Sequence, residues 1–146
     1  MTTPSFLDRA GDRSLIDALV CFTDITRFMD IGSGDPQDAY DLLHDMATIA
    51  AEAVEPTEGR IVKHIGDAML MAFPGDQTNA SVQLLHELQR RLHGCMRDRG
   101  LSNRVTFGLH VGQVMVGRMP PIDRPDIFGS VVNRALYPLI LTSRSR

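Results

Sequence analysis

The chain has 146 residues, 43% of them apolar and 23% charged, with a formal net charge of −3. That length suits one domain, and that apolar share supplies a core, which excludes an intrinsically disordered chain. The weakly negative balance, with no basic run interleaved with aromatics, excludes a general attraction to nucleic acid or to anionic membrane, and no apolar run approaches the ~20 residues of a membrane span.

Residues 1–14, MTTPSFLDRAGDRS, lack the apolar centre of a signal peptide and read as a loose N-terminal leader, with the domain running from 15 to 146. LIDALVCFTDI follows, and its second half reads as a strand ending at Asp24. Asp35 is suited to cap a helix and Pro36 to open it. Ala39, Leu42, Leu43, Met46, Ile49, Ala50 and Ala53 then recur at helical spacing, which predicts a helix to about Val54. RIVKHI and AMLMAF are two short apolar runs joined by Gly66-Asp67, a hairpin signal. PGDQTN leads into a second helix marked by Val82, Leu85, Leu88, Leu92, Cys95 and Met96 and closed by Gly100. Val105, Phe107, Leu109 and Val111 alternate on one face of a fourth strand. After the proline-rich MPPIDRP, DIFG is a short extended piece and SVVNRALYPLIL begins a last helix that Pro138 kinks or ends.

The order is β-α-β-β-α-β and then a tail, which predicts an α+β fold of the ferredoxin-like type, an antiparallel sheet with helices on one face. In that topology the first strand lies beside the third and runs the other way. Asp24 ends the one and Asp67 opens the other, so two carboxylates meet at one sheet edge. Adjacent carboxylates repel unless a cation sits between them, and Mg²⁺ takes one or two such oxygens and completes its shell with water and phosphate. The plainer alternatives are that Asp67 is a turn residue and Asp24 a helix cap. For the two aspartates together, the metal reading leads.

Among other residues, Cys21 and Cys95 sit in apolar patterns and read as buried free thiols of a soluble, cytoplasmic protein rather than a disulfide framework. His44, His64, His86, His93 and His110 show no metal-ligand spacing; His86 and His93 read as surface or interface residues.

Three stretches, FTDITRF, KHIGDAML, and GLHVGQVMVG with DIFGSVVN, together resemble the class III nucleotidyl cyclases, the adenylyl and guanylyl cyclase catalytic domain, over roughly residues 18–137. The resemblance implies an adenylyl cyclase that converts ATP to 3′,5′-cyclic AMP and pyrophosphate at the interface of a homodimer. It implies two divalent cations, Mg²⁺ or Mn²⁺, held by Asp24, Asp67 and the Ile25 carbonyl. It implies that the main chain of Ile25, Thr26, Arg27 and Phe28 cradles the phosphates, that Lys63 and Asp126 read the base, and that Asn133 positions the ribose. Lys63 and Asp126 suit adenine, with its ring N1 acceptor and 6-amino donor, and mismatch guanine. In relatives one subunit gives the aspartates and the other gives the base-reading pair and the asparagine.

Two features depart from the family pattern. Tyr137 stands where relatives carry an arginine that stabilises transition-state charge, and Arg27 stands where glycine is common. A phenol does not replace a guanidinium. Tyr137 therefore keeps a second expectation in view, a cyclase-like domain that binds nucleotide or dimerises with little or no turnover; a cyclase of another nucleotide is a third. Arg134, Arg144 and Arg146 are weaker candidates for the missing charge.

Overall fold

The computed structural model describes residues 4–32 and 34–136. The elements are α1 (Phe6–Arg9), β1 (Ser14–Ile25), α2 (Phe28–Gly32), α3 (Pro36–Val54), β2 (Arg60–Ile65), β3 (Ala68–Pro74), α4 (Thr78–Asp98), β4 (Val105–Gly117) and β5 (Asp126–Phe128). A last helix, α5, occupies 130–136 as far as the described residues extend. All strand pairs are antiparallel and the order is β2-β3-β1-β4-β5. The four-strand order expected of the ferredoxin-like pattern is present, with β5 added outside β4.

The local causes follow the sequence. Asp35 caps α3 through its side chain, which accepts from the Gln37 N–H at 2.9 Å, and Pro36 stands at the first turn. Gly66 has φ +61° in the two-residue β2–β3 turn, with open space where a Cβ would be, so the turn needs its backbone freedom rather than its small size. α3 and α4 cover one face of the sheet, where Leu19, Cys21, Met71 and Phe73 meet Leu42, Met46, Leu88 and Leu92. The opposite face carries its own cluster, built from Val20, Phe22, Leu70 and Val114 with Leu7 from α1 and Val131 and Ala135 from α5. Gly112 lets α5 lie this close, because a Cβ there would sit 2.6 Å from a Val131 methyl.

Three details differ from the sequence reading. β1 is twelve residues long and uses the whole apolar stretch, because β4 gives it ladder partners from Ser14 to Ile25 and β3 adds them from Ala18 to Thr23. The stretch read as a loose leader contributes Leu7, which is wholly buried, behind a capping box made by Ser5 and Asp8. On β4 the apolar alternation outruns the helix layer: Val105 is buried, but Leu109 and Val111 are exposed.

The sheet also curls. β2 and β5 are its two edge strands, yet Val62 and Ile127 share one apolar cluster and Lys63 touches Asp126. The two edges therefore approach each other around the second core.

Candidate active site

The end of β1 and the start of β3 meet as the topology predicts, and the Asp67 carboxylate reaches the main chain of the residue after Asp24. Asp67 opens the turn into β3, and its Oδ2 accepts the Ile25 main-chain N–H at 3.0 Å. Asp24 is the preceding residue on β1, half-buried, with its carbonyl accepting from Thr106 Oγ1. The β1–β3 ladder ends just before this point: Thr23 faces Met69, and the Met69 N–H turns to the Thr23 hydroxyl at 3.1 Å. Parting of the strands beyond Thr23 makes the space into which Asp67 reaches. Asp24, Asp67 and the Ile25 carbonyl offer hard oxygen donors, the chemistry that Mg²⁺ or Mn²⁺ takes. No three His, Cys, Asp or Glu side chains converge among the described residues. A cation held there takes the rest of its shell from water and phosphate, as Mg²⁺ commonly does.

Thr26 and Arg27 form the turn after β1. Thr26 and Arg104 exchange main-chain and side-chain bonds, Thr26 N–H to Arg104 O at 2.8 Å and Arg104 N–H to Thr26 Oγ1 at 2.9 Å. Arg27 adopts φ +52°, a left-handed conformation unusual for a side-chain-bearing residue. Its side chain is exposed, and Phe28, half-buried, opens α2 and packs against the helix-side core.

Lys63 and Asp126 form an ion pair, Nζ to Oδ2 at 2.8 Å, with the lysine 41% and the aspartate 19% exposed. Asp126 is also fixed by its own neighbour, since Oδ1 accepts the Ile127 N–H at 2.8 Å. A β-bulge sets the position of Lys63. Ile61 pairs with Met71 but Lys63 pairs with Leu70, so Val62 is an extra residue. Strict alternation from Ile61 would put Lys63 on the helix side; the bulge puts it on the side of Leu70, in the second core, along with Val62. No sequence pattern announced this bulge. The pair borders a cavity of about 360 Å³ whose other walls include Val62, Met119, Ile122 and Arg124. That size lies within the ~300–1,000 Å³ usual for small-molecule sites. Arg118 pairs with both Asp12 and Asp123, which ties down the loop that forms the outer wall.

Lys63 and Asp67 thus have different partners, although four residues apart. Asn133 is exposed on α5, while Val131 and Ala135 turn inward. Tyr137, Arg144 and Arg146 lie outside the described residues.

Two residues near the site were not picked out by sequence reasoning in this role. Asn103 donates to the carbonyls of Thr26 and Arg27. His93, read as a surface or interface residue, is instead wedged between α4 and β4, where its Nε2 accepts the Val105 N–H at 2.9 Å. Burial, then the nearby Arg104 and Arg97 charges, hold its pKa below the ordinary range. A lone asparagine in a loop and a lone histidine on a helix carry no pattern that spacing alone could flag.

No curated protein matches the sequence. Solved structures share the fold. A bacterial light-regulated adenylyl cyclase is 22% identical with a TM-score of 0.76, covering 88% of this chain and 40% of its own. A class III adenylyl cyclase-like ATP-binding protein from Pseudomonas aeruginosa is 15% identical with a TM-score of 0.71, covering 87% of this chain and 32% of its own. The guanylyl cyclase Cya2 is 19% identical with a TM-score of 0.69, covering 87% and 71%. This chain spans less than half the length of the first two, so it corresponds to one part of them. The profile described as the adenylate and guanylate cyclase catalytic domain matches residues 14–137, and the chain belongs to that family, the class III cyclase domains.

Proposed function

We propose that this domain is an adenylyl cyclase, acting as a homodimer and converting ATP to 3′,5′-cyclic AMP and pyrophosphate. The observation that carries the reading is the Lys63–Asp126 ion pair on the wall of the cavity. An ammonium beside a carboxylate matches the N1 acceptor and 6-amino donor of adenine. Guanine presents a donor and an acceptor in the opposite places, and a mismatched buried polar group costs about 1–3 kcal/mol.

Asp24, Asp67 and the Ile25 carbonyl would hold two divalent cations, Mg²⁺ or Mn²⁺. Such ions, when bound, supply charge neutralisation at the reacting phosphate and favour the attacking alkoxide. The main chain of Thr26, Arg27 and Phe28 orients the β- and γ-phosphates, and Asn133 holds the ribose. In the reaction the 3′-oxygen bonds to the α-phosphorus, the bond to the bridging oxygen breaks, pyrophosphate leaves, and the hydroxyl proton passes to solvent. Two chains complete each site, one giving Asp24 and Asp67, the other giving Lys63, Asp126 and Asn133. The buried, unpaired thiols of Cys21 and Cys95 support a reducing compartment, the cytoplasm.

The test is product formation from each of the four nucleoside triphosphates with Mn²⁺. Cyclic AMP is expected, and its absence with all ATP left intact rejects the enzyme reading. Mixing Asp67→Ala with Lys63→Ala protein is expected to restore activity that neither variant has alone; continued inactivity rejects the shared site. A second reading rests on Tyr137 in place of the family arginine. It makes the domain an ATP-binding module without turnover, and ATP binding without product would select it.

A further inference from the structure

Thr26 has three polar main-chain and side-chain groups, and the segment 103–104 engages all of them. Its N–H donates to Arg104 O, its Oγ1 accepts from the Arg104 N–H, and its carbonyl accepts from Asn103 Nδ2 at 2.7 Å. The same Nδ2 also reaches the Arg27 carbonyl at 3.4 Å. Both acceptors are carbonyls, so the amide nitrogen, not its oxygen, must face them.

A trans peptide points its C=O and its N–H in opposite directions. Drawing the Thr26 and Arg27 carbonyls toward Asn103 therefore turns the Arg27 and Phe28 N–H groups away from it. Arg27 is left-handed and Phe28 is helical, and such a pair of conformations makes successive N–H groups converge on one concavity suited to an anion. A left-handed residue other than glycine is strained, and it persists only where its surroundings enforce it. Asn103 is the side chain bonded to the carbonyls of both Thr26 and Arg27.

We propose that Asn103 is a positioning residue for the triphosphate: it clamps the Thr26–Arg27 turn in the strained form that aims its amides at the phosphates. This rests on the cyclase reading above. Asn103 need not touch the nucleotide; it acts through the turn. The clamp also accounts for how this chain carries Arg27 where relatives commonly have glycine.

The test is a double-mutant cycle of Asn103→Ala and Arg27→Gly, read by Mn²⁺-ATP binding in calorimetry and by amide hydrogen exchange at residues 26–28. Asn103→Ala is expected to weaken ATP binding about tenfold and to speed exchange at 26–28. In the Arg27→Gly background the same change is expected to cost less than about threefold, because glycine adopts the turn without enforcement. Asn103→Asp, which keeps the size and loses the donor, is expected to follow Asn103→Ala and covers a failure of the alanine variant to fold. An equal loss in both backgrounds overturns the clamp, as does faster exchange with unchanged ATP affinity. A wild-type protein that binds no ATP overturns the cyclase reading itself, and this inference with it; wild-type binding that Asn103→Ala leaves unaltered overturns the clamp alone.

Discussion

At the proposed base end of the site, one side-chain ion pair joins the two edge strands of a curled sheet, and a tethered loop leans over it. At the proposed phosphate end, main-chain groups of three segments, 23–27, 67–69 and 103–105, are tied by short-range bonds to one another and to buried side chains. The first arrangement is adjustable, since a half-exposed lysine on a long stem can follow a ligand. The second is preset. A group that must recognise one of several similar bases tolerates the former; a group that must align a reacting phosphorus needs the latter.

The comparison can be broken most severely at the phosphate end. Asp67→Asn keeps an oxygen to accept the Ile25 N–H and loses only the charge. The fold is expected to survive while the rate of cyclic AMP formation falls on the order of 10³, as the loss of several kcal/mol of transition-state stabilisation implies. Retained turnover in a product assay would remove Asp67 from the chemistry. Leu7→Ala strikes beneath the base end, where Leu7 is wholly buried in the core shared with Val62 and Ile127. Its expected cost is ~2–5 kcal/mol in urea unfolding; an effect below ~1 kcal/mol would make residues 4–13 an accessory rather than part of the domain.

Lys63→Glu sharpens the contrast at the proposed base end. Guanine offers donors at N1 and N2 that a carboxylate accepts, so the ratio of kcat/KM for ATP over GTP is expected to fall by about tenfold or more. An unchanged ratio would detach Lys63 from the base. The smallest effect concerns pH. Neutral His93 accepts the Val105 N–H; protonated, it would set donor against donor. Its folded pKa lies below the ordinary value of 6.5, so above that value neither state is charged and nothing is lost. As pH falls through 6.5 the unfolded chain takes up the proton first, and stability declines until the folded value is passed. Urea titrations between pH 8 and 5 are expected to show this slope, and to show it flattened in His93→Gln.

Much of this was legible in the sequence because it depends on periodicity and turn chemistry. The strand order, the α3 cap at Asp35, the Gly66 turn and the meeting of the Asp24 segment with Asp67 all follow from patterns a few residues long plus one topological rule. The contact of Lys63 with Asp126 did not follow from topology, since it depends on sheet curl and on a bulge, and neither leaves a periodic trace. The burial of Leu7 was missed because a four-residue helix has too few positions to display a pattern. Asn103 and His93 were missed for a related reason: each acts on main-chain groups of another segment, which composition does not encode.

The bulge at Val62 has a consequence for how such a domain can diversify. Two successive residues look to the same side, and they share the work unequally: Val62 is buried in the apolar cluster, while Lys63 is half-exposed and pairs with Asp126. Exchange at position 63 therefore leaves the packing intact. With position 63 facing the base as proposed, exchange there alters what the site presents while the apolar packing around Val62 stays in place.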